Sequence, residues 1–156
     1  MKIVEFLDEG AVNCELKATT KEDVIRELVG LLVQTGSIKD RDVARIVRIL
    51  LDREALGSTG IGQGVAIPHG KTDCVTRLVG AVGVSRHGLN FDSLDGEPAR
   101  IFFLLVAPED SAGPHLKALA RISRLLKERH FRDSVTAAKD EKILLRILRD
   151  EDQRYR

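Results

Sequence analysis

The segment that most limits how this chain can fold is residues 57–70, which read GSTGIGQGVAIPHG. Glycine at this density is incompatible with a helix, because each glycine in a helix interior costs about 1 kcal/mol relative to alanine. Only residues 65–67 have the apolar, β-branched character of a strand. We therefore predict a shaped loop that feeds a short strand and presents His69 at its end.

The residues before this loop predict one strand and two helices. Residues 12–16 alternate between apolar and polar, which is typical of a half-buried strand at the edge of a sheet. Apolar residues at helical spacing then indicate a helix that is capped by Thr20 and stopped by Gly36. A second helix is expected to begin at its cap, Asp40, and to end before Gly57.

The residues after the loop predict the centre of a sheet. Residues 78–85 and 100–107 are rich in Val, Ile, Leu and Phe and predict central strands, with a turn at Asp95-Gly96 between them. Strands this close along the chain cannot be joined by the helical crossover that parallel pairing requires. Since helices also flank the strands, we predict an α/β fold: a single domain with a mixed parallel and antiparallel sheet that is covered by helices on both faces.

The C-terminal third predicts helices and a charged end. A helical stripe begins at Pro114 and runs to Leu126, and shorter helical patterns follow at residues 131–138 and 143–148. The chain is strongly charged from Arg149 onward, which predicts fraying. We therefore assign the domain to residues 1–150 and a charged C-terminal tail to residues 151–156.

Composition excludes several classes of function. The chain has 156 residues, of which 43% are hydrophobic, and its 25 basic and 24 acidic side chains give no field that favours nucleic acid or an anionic membrane. Its apolar runs are shorter than the roughly 20 residues that span a bilayer, and the acidic N-terminal region does not resemble a signal peptide. Cys14 and Cys74 do not form a metal or disulfide motif. We expect a cytoplasmic protein that neither inserts into a membrane nor carries a metal or cofactor.

The glycine-rich loop does not have a nucleotide-binding pattern. A phosphate-binding P-loop requires Lys and then Ser or Thr after its last glycine, whereas Gln63 follows Gly62 and Val65 follows Gly64. The fixed φ of Pro68 and the missing side chain of Gly70 instead suit a presented histidine. An ordinary histidine in a tight turn at a strand end has the same local composition, so these residues alone leave both interpretations open.

Two further residues could act on a phosphoryl group. His115 follows Pro114 in the first turn of a predicted helix, where the helix dipole favours a neutral imidazole that could donate a hydrogen bond to a phosphoryl oxygen. Arg53 precedes the loop and could form two parallel hydrogen bonds with such oxygens. A solvent-exposed histidine and a solvated arginine are the alternatives at these positions.

Taken together, these residues resemble the phosphohistidine signature of a known family. The segments REALGSTGIG (residues 53–62) and GVAIPHG (residues 64–70) are similar to the fructose and mannitol class of enzyme IIA, a component of the bacterial phosphoenolpyruvate-dependent phosphotransferase system. DGEP at residues 95–98, VAP at 106–108 and HLKALARIS at 115–123 match that family in order and spacing. The segment GSTGIG at residues 57–62 most resembles the nitrogen-regulatory branch of this family.

The resemblance implies a function and a site. The phosphorylated histidine of the family falls on His69, the second active-site histidine on His115 and the active-site arginine on Arg53, while Ser58 and Thr59 are possible neighbours of the phosphoryl group. The implied donor is a histidine-phosphorylated carrier protein. The implied downstream partners are regulated target proteins in the nitrogen branch, or an enzyme IIB in the sugar-transport branch.

Two other classes of function remain as alternatives. A metal-dependent hydrolase would use His69, His115 and either His87 or a cysteine, but these residues lack a helical ligand spacing such as His-x-x-x-His. A binding module that keeps the fold without phosphoryl transfer is compatible with the sequence, although the three matching site residues argue against it.

Overall fold

The computed structural model describes residues 1–155, which form six strands and five α-helices. Their bounds, in chain order, are β1 Leu7–Asn13, α1 Lys21–Gln34, α2 Val43–Ala55, β2 Gly60–Gly62, β3 Val65–Ala66, β4 His69–Thr72, β5 Val79–Leu89, β6 Ala99–Pro108, α3 Ala112–Leu125, α4 Arg129–Ala137 and α5 Glu141–Arg154. Short 3-10 turns at Ile3–Glu5 and Asp40–Asp42 precede β1 and α2.

The strands form one mixed sheet in the order β1-β5-β6-β3-β2, and β4 also pairs with β6. β1 is parallel to β5, β5 is antiparallel to β6, and both β3 and β4 run parallel to β6. Because β5 occupies one side of β6, β3 and β4 follow one another along its other side. The predicted mixed sheet and the edge position of the first strand are confirmed.

Helices cover both faces of this sheet. Along β6, Phe102, Leu104 and Val106 pack into one core with α1 and α2. The alternate side chains of β6 enter a second core with α3, α4 and α5, as expected when successive residues of a strand point to opposite faces. The predicted fold class is therefore confirmed.

Several local predictions differ from the structure. β1 lies earlier than residues 12–16, and α2 begins at Val43 after a 3-10 turn, so Asp40 is not its cap. The glycine-rich segment contains a hairpin, β2–β3, where we predicted only a loop before the strand. Its turn has positive φ at Gln63 (59°) and Gly64 (80°), as in a type I′ turn, and the amide N–H of Gln63 donates to Asp95 at 2.9 Å.

The prediction of a frayed tail from Arg149 is wrong, because α5 continues to Arg154. Asp152, in this last turn, is only 1% exposed and accepts hydrogen bonds from the guanidinium of Arg121 at 2.9 and 3.1 Å and from the amide of Val4 at 3.2 Å. These partners are distant in sequence, so the charge pattern alone could not show that the end of the chain is anchored. Arg156, the last residue of the predicted tail, lies outside the described residues.

Candidate functional site

The fold fixes His69 at the first position of β4, where it pairs with Leu105 of β6. The carbonyl of Pro68 accepts a hydrogen bond from the Leu105 amide at 3.0 Å, which anchors the backbone just before the histidine. At Gly70 a Cβ atom would lie 3.0 Å from Cγ2 of Ile49 on α2. The glycine after His69 therefore lets β4 pack closely against α2, a reason that the sequence alone did not provide.

The surroundings of His69 select one tautomer of its ring. Nδ1 lies 2.7 Å from the carbonyl oxygen of Ile67, and since a carbonyl can only accept, Nδ1 must carry the proton. In the neutral ring the lone pair is then on Nε2. Burial is the main cause that lowers the pKa of His69; the hydrogen bond to Ile67 opposes this shift and the charge of Arg53 adds to it. The ring of His69 is therefore neutral near pH 7.

His115 lies in the first turn of α3 and packs edge-on against His69, with ring centroids 5.3 Å apart and an interplanar angle of 68°. It is 6% exposed, and within residues 1–155 its buried Nε2 has no hydrogen-bond partner. Burial, assisted by the neighbouring His69 and Lys71, lowers the pKa of His115 to about 4. Leaving a buried polar atom unsatisfied costs about 1–3 kcal/mol, so the unpartnered Nε2 requires a physical explanation.

Arg53 lies in the last turn of α2 and is partly exposed. Its Nη1 donates to the carbonyl of Gly57 at 2.8 Å, which ties the guanidinium to the start of the glycine-rich loop. The charge of Arg53 also contributes to the lowered pKa of His69. The folded chain thus brings a cation and two neutral imidazoles into one region.

The hydroxyl groups of Ser58 and Thr59 are already engaged within the protein. Ser58 Oγ donates to the carbonyl of Phe91 at 2.8 Å and accepts from the amide of Gly60 at 3.0 Å. Thr59 is buried, and its Oγ1 donates to Glu54 at 2.5 Å. With both protons used in this way, these hydroxyls shape the loop and are not free to donate to a phosphoryl oxygen.

Sequence reasoning missed Glu54, which is 6% exposed beside the site. Its carboxylate accepts from the amide of Thr59 at 3.0 and 3.1 Å and pairs with Nζ of Lys21 at 3.1 Å. Lys21 also pairs with Asp92 at 2.9 Å. A glutamate in the charged last turn of a helix has the same local pattern as a solvated residue, so no signal marked its burial.

Across residues 1–155, no group of three or more His, Cys, Asp or Glu side chains is arranged to hold a metal ion. None of the helices in the described part of the chain is both long enough and apolar enough to cross a membrane.

Solved structures with this fold define a class of protein, the IIA proteins. The nitrogen regulatory protein IIA-Ntr from Neisseria meningitidis superposes with a TM-score of 0.84 at 32% identity, covering 94% of this chain and 98% of that one. IIA mannitol from Escherichia coli shares the fold, with a TM-score of 0.76 at 23% identity over 90% of this chain and 97% of its own. The chain belongs to the family described as phosphoenolpyruvate-dependent sugar phosphotransferase system, EIIA 2, whose model matches residues 5–151.

Members of this family are phosphotransfer proteins, and the resemblance drawn from the sequence is confirmed. The chain is 35% identical to a nitrogen regulatory protein of Bradyrhizobium diazoefficiens, over 95% of each chain. It is 37% identical to the fructose-specific EIIABC component of Bacillus subtilis over 98% of its own length, but spans only 24% of that protein. Similar proteins therefore include both nitrogen-regulatory and sugar-specific members.

Proposed function

We propose that this protein is a phosphocarrier that accepts a phosphoryl group on Nε2 of His69 from a histidine-phosphorylated carrier protein. The Nε2–P bond forms while the N–P bond of the donor breaks, and the donor imidazole leaves with the electron pair. The observation that best supports this proposal is the hydrogen bond from Nδ1 of His69 to Ile67, because it leaves the Nε2 lone pair free. The proton on Nδ1 stays in place, so this step requires no separate base.

In this proposal, His115 and Arg53 stabilise the transferring group. Phosphoryl transfer proceeds through a loose transition state whose charge is spread over three equatorial oxygens. The unpartnered Nε2 of His115 is suited to donate a hydrogen bond to one of them, and the guanidinium of Arg53 is suited to the others. The negative charge of a phosphoryl group on His69 would also raise the pKa of His115, which favours its role as a donor.

Exposed leucines beside the site support docking of a protein donor. Leu56, next to the glycine-rich loop, is 86% exposed, and Leu116, next to His115, is 67% exposed. Large apolar side chains that stay in water next to a reactive group are typical of an interaction surface. We infer that the carrier protein covers these two leucines while its phosphohistidine meets His69.

The test is intact-mass spectrometry after incubation with phosphoenolpyruvate, enzyme I and the phosphocarrier protein, under non-acidic conditions that preserve phosphohistidine. We expect a gain of one phosphoryl group, about 80 Da, that is lost in His69→Ala. His130→Ala is the matched control, since His130 is an exposed histidine on another helix. If His69→Ala still gained this mass, the phosphoryl group would have to be carried by another residue. A wild-type protein that is never phosphorylated by any cognate donor would favour a binding module on the same fold.

We further propose that the output is regulatory, with the phosphorylation state of His69 controlling the binding of target proteins in the cytoplasm. The similarity to nitrogen regulatory proteins over nearly the whole chain supports this branch. The fructose-specific relatives support a second candidate, in which His69 passes the phosphoryl group to an enzyme IIB during sugar import. Incubating the phosphorylated protein with the cognate IIB domains separates the two, because rapid loss of the phosphoryl group to one of them would favour sugar transport.

A further inference from the structure

We propose that Glu54, paired with Lys21, is a positioning residue that selects the reactive tautomer of His69 through a chain of hydrogen bonds. Its consequence for phosphoryl transfer rests on the proposed function, whereas the tautomer itself is a property of the unphosphorylated protein. In this proposal Glu54 positions the His69 ring through two intervening residues, Thr59 and Ile67.

The first link joins Glu54 to Thr59. Both carboxylate oxygens accept from the Thr59 amide, at 3.0 and 3.1 Å, and one of them also accepts from the Thr59 hydroxyl at 2.5 Å. Thr59 is 4% exposed and Glu54 is 6% exposed, so water does not compete for these bonds. Hydrogen bonds to an ionised acceptor are roughly twice as strong as neutral ones, so this contact holds Thr59 firmly.

The second link connects Thr59 to His69 through Ile67. The carbonyl of Thr59 accepts from the amide of Ile67 at 3.0 Å, and the carbonyl of Ile67 accepts from Nδ1 of His69 at 2.7 Å. The amide of Ile67 is therefore held by Thr59, while its carbonyl orients the ring of His69. This matters because a histidine ring without such an acceptor has both tautomers available, and protonation of Nε2 removes the nucleophile.

Lys21 supplies the cation that faces the buried carboxylate of Glu54. Its Nζ lies 3.1 Å from Glu54, 2.9 Å from Asp92 and 5.0 Å from the centre of the Phe91 ring. Removing one partner of a buried ion pair is strongly destabilising, because the other charge is left without a partner. Lys21 therefore stabilises the position of Glu54, and it ties the start of α1 to the loop that contains Phe91 and Asp92.

The experiment measures the ¹⁵N chemical shifts of His69 and the rate of its phosphorylation in the full chain, for wild type and for Glu54→Gln. The Gln amide keeps the shape of Glu54 but replaces one acceptor oxygen with a donor. We expect wild-type His69 to be in the Nδ1–H form, Glu54→Gln to show a mixture of tautomers, and transfer to slow at least about tenfold. The matched control is Glu22→Gln, because Glu22 is an exposed glutamate on α1 that pairs with Arg26.

A second pair of variants keeps the proposal testable if Glu54→Gln does not fold. Lys21→Met should give a mixture of His69 tautomers and slower transfer, as expected for Glu54→Gln. Lys21→Arg keeps the positive charge and should retain the wild-type tautomer and rate. Pure Nδ1–H His69 in Glu54→Gln or in Lys21→Met would overturn the proposal, even if transfer slowed. Wild-type protein that keeps the expected tautomer but accepts no phosphoryl group would contradict the proposed function without contradicting this inference.

Discussion

From the low pKa of His115 we predict how the free energy of unfolding depends on pH. Burial is the main cause that lowers this pKa from 6.5 to about 4. In the unfolded chain the ring regains water and binds a proton near pH 6.5, whereas in the folded protein it stays neutral until about pH 4. Between these values the unfolded state binds more protons, so the free energy of unfolding must fall as the pH is lowered.

The size of the effect follows from the two pKa values. Each unit of pKa difference corresponds to about 1.4 kcal/mol, so the full loss on reaching pH 4 or below is about 3 kcal/mol. Over the accessible range from pH 7 to pH 5, linkage gives a loss of about 2 kcal/mol from His115 alone. The pKa of His69 is also lowered, so its contribution has the same sign.

The measurement is urea unfolding at pH 7 and pH 5 for wild type, His115→Gln and His130→Gln. The free energy of unfolding of wild type should fall by about 2 kcal/mol more than that of His115→Gln over this pH range, because the other titrating groups are common to both proteins. His130→Gln should behave like wild type, since an exposed ring is hydrated in both states. Equal losses in wild type and His115→Gln would refute the account of His115 as a neutral, buried imidazole.

Three further substitutions test other parts of the structure. Asp152→Ala should lower the free energy of unfolding by roughly 3–5 kcal/mol, because it leaves the buried guanidinium of Arg121 unpaired; a change under about 1 kcal/mol would mean that the end of α5 frays. Gly70→Ala should cost about 1–3 kcal/mol by pressing on Ile49, and Ile49→Val in the same chain should recover part of it; no recovery would place the strain elsewhere. Arg53→Ala should slow phosphorylation of His69 about 100-fold with stability nearly unchanged, and an equal rate would refute its role.

The sequence anticipated much of the fold because its signals are local. Helical spacing located α1, α2 and α3, and runs of β-branched and aromatic residues located β5 and β6. Their short connection predicted antiparallel pairing. The starts of β1 and α2 were predicted less well, since a 3-10 turn and an irregular edge strand leave weak periodic signals.

The sequence also named the central residues of the candidate site. The family resemblance implied that Arg53, His69 and His115 act together, and the structure packs the two imidazoles against one another. The resemblance also named Ser58 and Thr59 as possible neighbours of the phosphoryl group, and only the structure shows that their hydroxyls donate to Phe91 and Glu54.

The sequence by itself determined the family, the layered fold and the candidate histidine, because these depend on patterns within short segments. Only the tertiary structure decided which charged groups are buried. Glu54 meets Lys21, and Asp152 meets Arg121, across distances of about thirty residues in the chain. Each of these four side chains is polar in sequence and acquires its partner only when separate elements pack together. The hydrogen bond from Nδ1 of His69 to the carbonyl of Ile67 likewise becomes visible only in the folded backbone.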